Sequence, residues 1–130
     1  MATWDDVRRI ALALPDTSEG ESWGNHTFLV HGKQFAWARP LNKADLGRLV
    51  GDPPEGQIIA AYVDDLDTKD ALITEEPDTF FTIEHFDGFR AVLIPLARIE
   101  VTRLEDILTD AWLARAPKKA AAAFLADSSG

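Results

Sequence analysis

The segment from Glu19 to Pro40 constrains the fold of this chain most strongly, because two apolar-rich runs meet there at a glycine. We expect His26–His31 and Gln34–Arg39 to form two antiparallel strands. Gly32-Lys33 would then connect them, and a glycine at the first central position suits a type II′ turn. The sequence therefore predicts a β-hairpin near the start of the chain.

The predicted turn also sets the register of this hairpin, since strand pairs step outward from it one residue at a time. Phe28 then lies opposite Trp37, and His26 lies opposite Arg39. Side chains alternate between the two faces of a strand. One face, the expected core, carries Phe28, Val30, Phe35 and Trp37, with His26 and Arg39 at its open end. The other face is available to solvent or to a partner.

Composition limits the functions open to the chain. Its 130 residues are 46% hydrophobic, enough to bury a core, and we expect one domain over residues 1–130. The 13 basic and 22 acidic residues give a net charge of −9, which opposes non-specific binding to nucleic acid or to anionic lipid. Without cysteine the chain has no disulfide, no thiolate nucleophile and no cysteine-based zinc site.

The expected location is the cytoplasm. The N-terminal residues, MATWDDVRR, place acidic residues where a signal peptide would have a basic segment followed by an apolar one. No apolar run approaches the length of a membrane span, so we expect no membrane partner. The chain is expected to be a monomer or a homodimer, since the second face of the hairpin could pair with another subunit.

The remaining elements follow from periodicity and capping signals. Thr3 can cap a helix with an apolar stripe that ends at Pro15. We further predict a strand at Gln57–Val63, a helix at Asp64–Glu75, strands at Phe80–His85 and Arg90–Leu96, a helix begun by a Thr102–Glu105 capping box, and a last helix at Lys118–Leu125 before a frayed tail at 127–130. The order α-β-β-β-α-β-β-α indicates an α+β fold of two layers, an antiparallel sheet with helices mainly on one face.

Trp23 is the exception within an otherwise polar segment, Asp16–Asn25, that we expect to cross the surface. A tryptophan between glycines either plugs the edge of the sheet or lines a pocket. Burial of aromatic side chains favours the plug.

Several of these segments, in this order and spacing, resemble the MmcQ/YjbR-like proteins, a family described as having a double-wing DNA-binding motif. The resemblance spans most of the chain and is carried by Ala13-Leu14-Pro15, Glu19 and Gly24, Gly32-Lys33-Gln34-Phe35-Ala36, Glu76-Pro77-Asp78 with Phe80-Phe81, His85-Phe86-Asp87-Gly88-Phe89, and Asp110-Ala111-Trp112 with Ala116-Pro117-Lys118-Lys119. It implies a small bacterial cytosolic protein with a fold similar to that of secretion chaperones. It offers no established catalytic residues.

DNA is the first candidate partner that the resemblance suggests. The turns at Gly32-Lys33 and Asp87-Gly88 would be the wing tips, and wings place backbone amides and basic side chains against phosphate. The candidate DNA-binding residues are Lys33, Arg39, Lys43, Arg90, Arg115, Lys118 and Lys119. Because the chain is acidic, it could bind duplex only by segregating its charges, and the favoured interpretation of these cations is solvated surface or, near Trp112, a complement to a helix C-terminus.

The alternative is a small-ligand or protein-interaction module. Trp23, His26, Arg39 and His85 could line a pocket for an anionic or planar ligand. A simpler interpretation is that both histidines satisfy local hydrogen bonds at strand ends. Within the hairpin His26 and His31 point to opposite faces, which rules them out as a pair of metal ligands. We expect no metal site and no cofactor, and no catalytic motif supports an enzyme.

Overall fold

The computed structural model describes residues 1–48, 54 and 56–129. Five antiparallel strands form one sheet whose spatial order follows the chain, β1 (Thr17–Ser22), β2 (Asn25–Val30), β3 (Lys33–Ala38), β4 (Ile58–Tyr62) and β5 (Ala91–Pro95). The helices are α1 (Trp4–Ala13), α2 (Lys43–Arg48), α3 (Leu66–Glu75), α4 (Val101–Arg115) and α5 (Lys118–Ser129), with short 3₁₀ turns at Glu84–Phe86 and Leu96–Arg98. The predicted α+β class, with an antiparallel sheet, is confirmed.

One face of the sheet is covered by α1 and α4, and the main core lies there. Buried side chains from the strands, including Phe28, Ile59 and Ile94, meet Ile10 of α1 and Trp112 of α4 in one cluster. The indole nitrogen of Trp112 donates a hydrogen bond to the carbonyl oxygen of Pro15, 3.0 Å away. The segment that follows α1 is thereby attached to α4.

The other face of the sheet is covered over β4 and β5 by residues 81–90, which form a smaller cluster. Phe86 and Ile83 of this segment are buried against Ile58, Ala60 and Leu93. The segment is joined to β5 through an isolated bridge between Phe81 and Leu93. Over β1 to β3 this face lies outside both buried clusters, apart from Trp37, which packs at the margin of the smaller one.

Helix α1 begins where the sequence predicts. The hydroxyl of Thr3 accepts a hydrogen bond from the backbone amide of Asp6, and the Asp6 carboxylate accepts one from the amide of Thr3, which completes a capping box. These hydrogen bonds lower the pKa of Asp6. The helix ends at Ala13, just before Leu14-Pro15, because proline disfavours helical backbone in the residue before it.

The hairpin forms, but its predicted turn and register are wrong. His31 and Gly32 are the turn residues, with φ of 50° and 79°, which is the backbone of a type I′ turn instead of a type II′ turn. A register shift follows, with Leu29 opposite Gln34 but Phe28 opposite Ala36. The extra residue, Phe35, forms a bulge that places Phe35 and Ala36 in the same core.

The bulge reverses the predicted direction of every later side chain in β3. Trp37 pairs with Thr27 instead of Phe28 and packs in the smaller cluster on the other face. Trp37 is therefore not part of the main core, contrary to the sequence prediction.

Two strand assignments also differ from the prediction. Thr17–Ser22, expected to be a surface crossing, forms β1 and pairs along its length with β2. Residues Phe80–His85, expected to be a strand, contribute one bridge at Phe81 and then turn into the 3₁₀ segment. Within the residues that the structure describes, the number of strands equals the predicted number, but their order along the chain differs from the predicted one.

Helices α3, α4 and α5 form where the sequence predicts helices, but they begin or end at different residues from those predicted. The side chain of Asp65 caps α3 through the amide of Thr68, and this hydrogen bond lowers the pKa of Asp65. Helix α4 begins at Val101, so the Thr102–Glu105 capping box does not form. Helix α5 continues to Ser129, within the tail predicted to fray, and Gly130 lies outside the described residues, as do residues 49–53 and 55 of the predicted connection after Pro40.

Candidate functional site

A cleft of about 690 Å³ opens on the face of the sheet opposite α1 and α4. It runs along β3, with the β1–β2 turn on one side and the 3₁₀ segment on the other. Its lining residues are Ser22, Trp23 and Asn25 from the turn, Gln34, Trp37 and Arg39 from β3, Pro40 and Asn42 beyond it, and His85, Phe86 and Phe89 from the opposite wall. This volume lies in the range of sites for small organic ligands.

Aromatic rings form most of the apolar wall. Trp37 lies 5.6 Å from Tyr62, 6.2 Å from Phe86 and 6.3 Å from Phe89, measured between ring centroids. Phe89 contacts Tyr62 and Phe86 edge to face, at 5.3 and 5.4 Å. These four rings hold one another in fixed orientations, and Phe89 remains 38% exposed. Three of them, Trp37, Phe86 and Phe89, line the cleft, and we call these three the aromatic wall.

Arg39 supplies the positive charge of the cleft, but that charge is already paired. Its Nη1 donates to the buried carboxylate of Asp45 at 3.1 Å, and its guanidinium lies 5.6 Å from the centroid of Phe86. The same carboxylate accepts a hydrogen bond from the amide of Asn42, whose side chain in turn caps the amide of Asp45. Arg39 is therefore fixed at one end of the cleft by a carboxylate of opposite charge.

The other polar groups of the cleft are mostly uncharged. The side-chain nitrogen of Gln34 donates to the hydroxyl of Thr27 at 2.7 Å, and the side-chain oxygen of Gln34 takes no part in this bond. Ser22, Asn25 and Asn42 add further neutral donors and acceptors. The cleft can offer stacking surfaces and neutral hydrogen-bonding groups to a ligand.

Trp23 lies at the tip of the β1–β2 hairpin with its side chain 98% exposed. The predicted plug at the sheet edge is therefore wrong. Trp23 and Gly24 have φ of 54° and 79°, so the turn is of type I′, and Ser22 pairs with Asn25 across it. A type I′ turn directs the hairpin sharply back and leaves the indole outside the core, at the rim of the cleft.

His26 does not belong to this cleft. Its ring packs 5.6 Å from that of Trp4, on the face of the sheet covered by α1, and its Nδ1 lies 3.8 Å from the carboxylate of Glu19. The structure thus brings Trp23, Arg39 and His85 of the predicted pocket together and places His26 elsewhere, because β2 keeps its alternation while β3 loses it at the bulge. The other residues that line the cleft were not predicted to do so, among them Gln34, Phe86 and Phe89.

The seven candidate DNA-binding cations fall into two groups. Arg39 and Lys43 lie at one end of the sheet, beside α2. Arg115 lies at the other, where its Nε donates to the carbonyl of Gln34 and its guanidinium stacks 4.2 Å from the centroid of Tyr62. Lys33, Arg90, Lys118 and Lys119 belong to this second end, and Arg90 donates to the carbonyl of Asp64.

A second cavity of about 380 Å³ lies between α3 and α4, lined by Leu72, Ile107 and Leu113 among others. Asp110 is at its rim. Burial raises the pKa of this carboxyl, and the nearby charge of Asp106 adds to the effect. Over the part of the chain that the structure describes, no three histidine, aspartate or glutamate side chains are close enough to hold a metal ion.

Comparisons with known proteins fit these observations. The model of the YjbR family matches residues 12–114. Uncharacterized proteins of Mycobacterium tuberculosis and Mycobacterium bovis are 50% identical over 131 residues, which cover 98% of this chain and 99% of each relative. The crystal structure of Deinococcus radiodurans protein DR2400, a DUF419 domain, superposes with a TM-score of 0.64 at 20% identity, covering 87% of this chain and 78% of that one. Among the described residues no helix is long and apolar enough to cross a bilayer.

Proposed function

The chain belongs to the YjbR family, and on that premise we propose that it is a binding protein whose cleft takes a small, planar, uncharged heteroaromatic compound. The observation that supports this most directly is the indole of Trp23, 98% exposed on one side of the cleft, with the aromatic wall on the other. An apolar ring left in water at the rim of a cleft gains contacts when a flat ligand enters.

The charges around the cleft favour an uncharged ligand. Arg39 is compensated by Asp45 at 3.1 Å, so an incoming anion would compete with a buried carboxylate for the same guanidinium. The net charge of −9 adds long-range repulsion against anions. The neutral side chains of Asn25, Gln34 and Asn42 suit instead the alternating donors and acceptors of a heterocyclic edge.

Titration with riboflavin and adenosine tests this proposal, with indole and flavin fluorescence as the signals. Removing one stacking partner costs about 1–3 kcal/mol, so Trp23→Ala should weaken binding roughly 5-fold to 150-fold. Leu12→Ala, on the exposed side of α1, is the control and should leave affinity unchanged. No binding of adenosine at millimolar concentration, and none of riboflavin up to its solubility limit, would refute the proposal.

The charge preference is tested separately with the phosphorylated forms of the same two compounds. Flavin mononucleotide and adenosine monophosphate should bind no more tightly than riboflavin and adenosine. A tenfold gain from the phosphate would show that the site recognises an anion, which would overturn the preference for an uncharged ligand while keeping the cleft as the site.

DNA binding is the second candidate function, and one observation favours it. The hydrogen bond from Arg115 to Gln34, 2.9 Å, brings the end of α4 beside the start of β3, so exposed Lys33 and the lysines 118–119 that begin α5 lie toward one end of the sheet. Such an arrangement is the segregated charge that an acidic chain needs to contact phosphates. It would support weak binding limited to that end.

Fluorescence anisotropy of labelled duplex and single-stranded DNA, at low and at physiological salt, tests this candidate. The triple variant Lys33→Gln, Lys118→Gln, Lys119→Gln should lower the salt dependence of log K by about one for each phosphate that these lysines neutralise. An acidic protein of similar size is the control. Binding no tighter than that control would remove DNA as a partner, and it would not affect the ligand proposal.

A further inference from the structure

We propose that Lys69 is a positioning residue for the cleft, whose buried ammonium group holds the segment that carries Phe86 and Phe89. The effect on ligand binding rests on the function proposed above. The effect on the segment itself does not, and the two can be measured independently.

Lys69 lies on α3 but its side chain reaches residues 17 and 20 positions later in the chain. Its Nζ donates to the carbonyl oxygen of Phe86 at 2.6 Å and to that of Phe89 at 2.8 Å. The residue is only 4% exposed, although lysine is almost never fully buried without partners. One side chain of α3 thus bridges both aromatic residues of the opposite wall through their backbones.

Packing holds the rings of this segment, since Phe86 is buried in the smaller cluster and Phe89 contacts its neighbours, whereas Lys69 holds the backbone carbonyls. The backbone bonds of the segment before Arg90 are local, from Phe86 to Ile83, from Asp87 to Glu84, from Phe89 to Phe86 and from Ala91 to Phe89, and the amide of Val63 donates to the carbonyl of Arg90 just beyond them. Gly88 has a left-handed φ of 74°. In this tight turn the carbonyl oxygens of Phe86 and Phe89 lie close to one another, within reach of one donor. An ammonium group placed there donates charge-assisted hydrogen bonds to both oxygens at once, which are stronger than those of a neutral donor.

Electrostatics are consistent with a charged Lys69 that is retained for a specific contact. Burial lowers the pKa of Lys69, whereas the carboxylates of Asp87 and Asp70 oppose that shift. The desolvation of the ammonium group is therefore compensated by two carbonyl oxygens and two nearby negative charges. An apolar residue would fill this position of α3 without desolvating a charge. The presence of a lysine is therefore explained by its hydrogen bonds to the carbonyl oxygens of Phe86 and Phe89.

The consequence for the cleft is geometric. Phe86 and Phe89 contact Trp37, and Phe86 also lies under the guanidinium of Arg39. If the segment shifts, the rings that form the stacking surface move, and so does the ring that lies under the guanidinium of Arg39. Binding that depends on a flat, preformed surface should weaken even though Lys69 itself does not line the cleft.

Hydrogen exchange and riboflavin titration of Lys69→Met test this inference on the full chain. Methionine keeps an unbranched apolar stem and removes the donor. We expect amide exchange across residues 84–91 to accelerate at least tenfold, exchange in α1 and α4 to stay unchanged, and the Kd for riboflavin to rise at least tenfold. Arg9→Met removes one positive charge from an exposed position of α1 and is the matched control. Lys69→Gln, which keeps N–H donors on a shorter chain, should recover part of both effects.

The possible outcomes separate the positioning role from the proposed function. Unchanged exchange at 84–91, or accelerated exchange with unchanged riboflavin affinity, would overturn the positioning role. Equal acceleration in every helix for both Lys69→Met and Lys69→Gln would also overturn it, since Lys69 would then support the whole fold. Local acceleration in a chain whose unsubstituted form binds no riboflavin would keep Lys69 as the anchor of the segment and remove the proposed function.

Discussion

Replacing Trp23 by asparagine should stabilise the protein and weaken its binding at the same time. Trp23 and Gly24 are the two central residues of a type I′ turn, and the Asn-Gly pair is strongly preferred there. Left-handed backbone costs an ordinary L-residue about 1–2 kcal/mol, a cost that asparagine largely avoids. With 98% of its surface exposed, the indole contributes almost no burial that the substitution could remove.

The expected gain in the free energy of unfolding is therefore about 1 kcal/mol, from the backbone term alone. For a chain of 130 residues this corresponds to a rise in Tm of roughly 3–5 °C. Urea unfolding followed by circular dichroism gives the free energy, and an unchanged m-value would show that the two end states are unaltered. Riboflavin affinity, measured on the same samples, should fall.

The second type I′ turn provides a matched control. His31 has a φ of 50° followed by Gly32, so His31→Asn relieves the same strain. It also removes the contact between the His31 ring and the carboxylate of Asp16, 3.2 Å apart and exposed, which contributes at most about 1 kcal/mol. The gain from His31→Asn should be smaller, and riboflavin affinity should not change.

A fall in stability of more than about 1 kcal/mol in Trp23→Asn would refute this reasoning, because it would mean that the indole packs against the protein in solution. A gain in stability with unchanged affinity would refute the assignment of Trp23 to the binding surface. Only a gain in stability combined with weaker binding supports a residue retained for binding at the expense of stability.

Three further predictions concern the fold. Thr3→Ala should lower the free energy of unfolding by about 1 kcal/mol through loss of the capping box, while Thr102→Ala, which caps nothing, should change it by less than about 0.5 kcal/mol in the same urea assay. Trp112→Phe should cost about 1–3 kcal/mol, since it leaves the carbonyl of Pro15 with only the longer hydrogen bond from the Thr17 hydroxyl, and a neutral result would mean that water or this hydroxyl replaces the indole. Asp110→Asn should stabilise the protein at pH 7, because a raised pKa means that folding disfavours the ionised carboxylate. That gain should vanish below the ordinary aspartate pKa of 3.8, where the carboxyl is protonated in both states, and a gain that persists well below that pH would assign the effect to something other than charge.

The sequence predicted those elements whose signals are local. The cap and stripe of α1 depend on residues within a few positions of one another, as do the signals that predict helices at Asp64–Glu75 and from Thr102 onward. Strand β1 was missed because its residues, TSEGES, have low strand propensity and become a strand only by pairing with β2. Tertiary pairing outweighed local preference there.

The errors at the cleft have one common origin. Strict alternation placed Trp37 in the main core and His26 beside Arg39, and a single bulged residue, Phe35, reverses both relations. A bulge depends on twist and packing across strands, and no residue in this hairpin signals it. Lys69 was missed for a related reason, since its acceptors are the backbone carbonyls of distant residues and leave no side-chain pattern in the sequence.

The hydrogen bond between Trp112 and Pro15 has a consequence for the folding kinetics. Each strand pairs with its neighbours along the chain, whereas this bond joins residues 97 positions apart. Bringing such distant residues together costs more chain entropy than forming neighbouring pairs, so we expect α4 to dock on α1 after the rate-limiting step. Trp112→Phe should then speed unfolding and leave the refolding rate unchanged in stopped-flow measurements, and slower refolding would place this contact in the transition state.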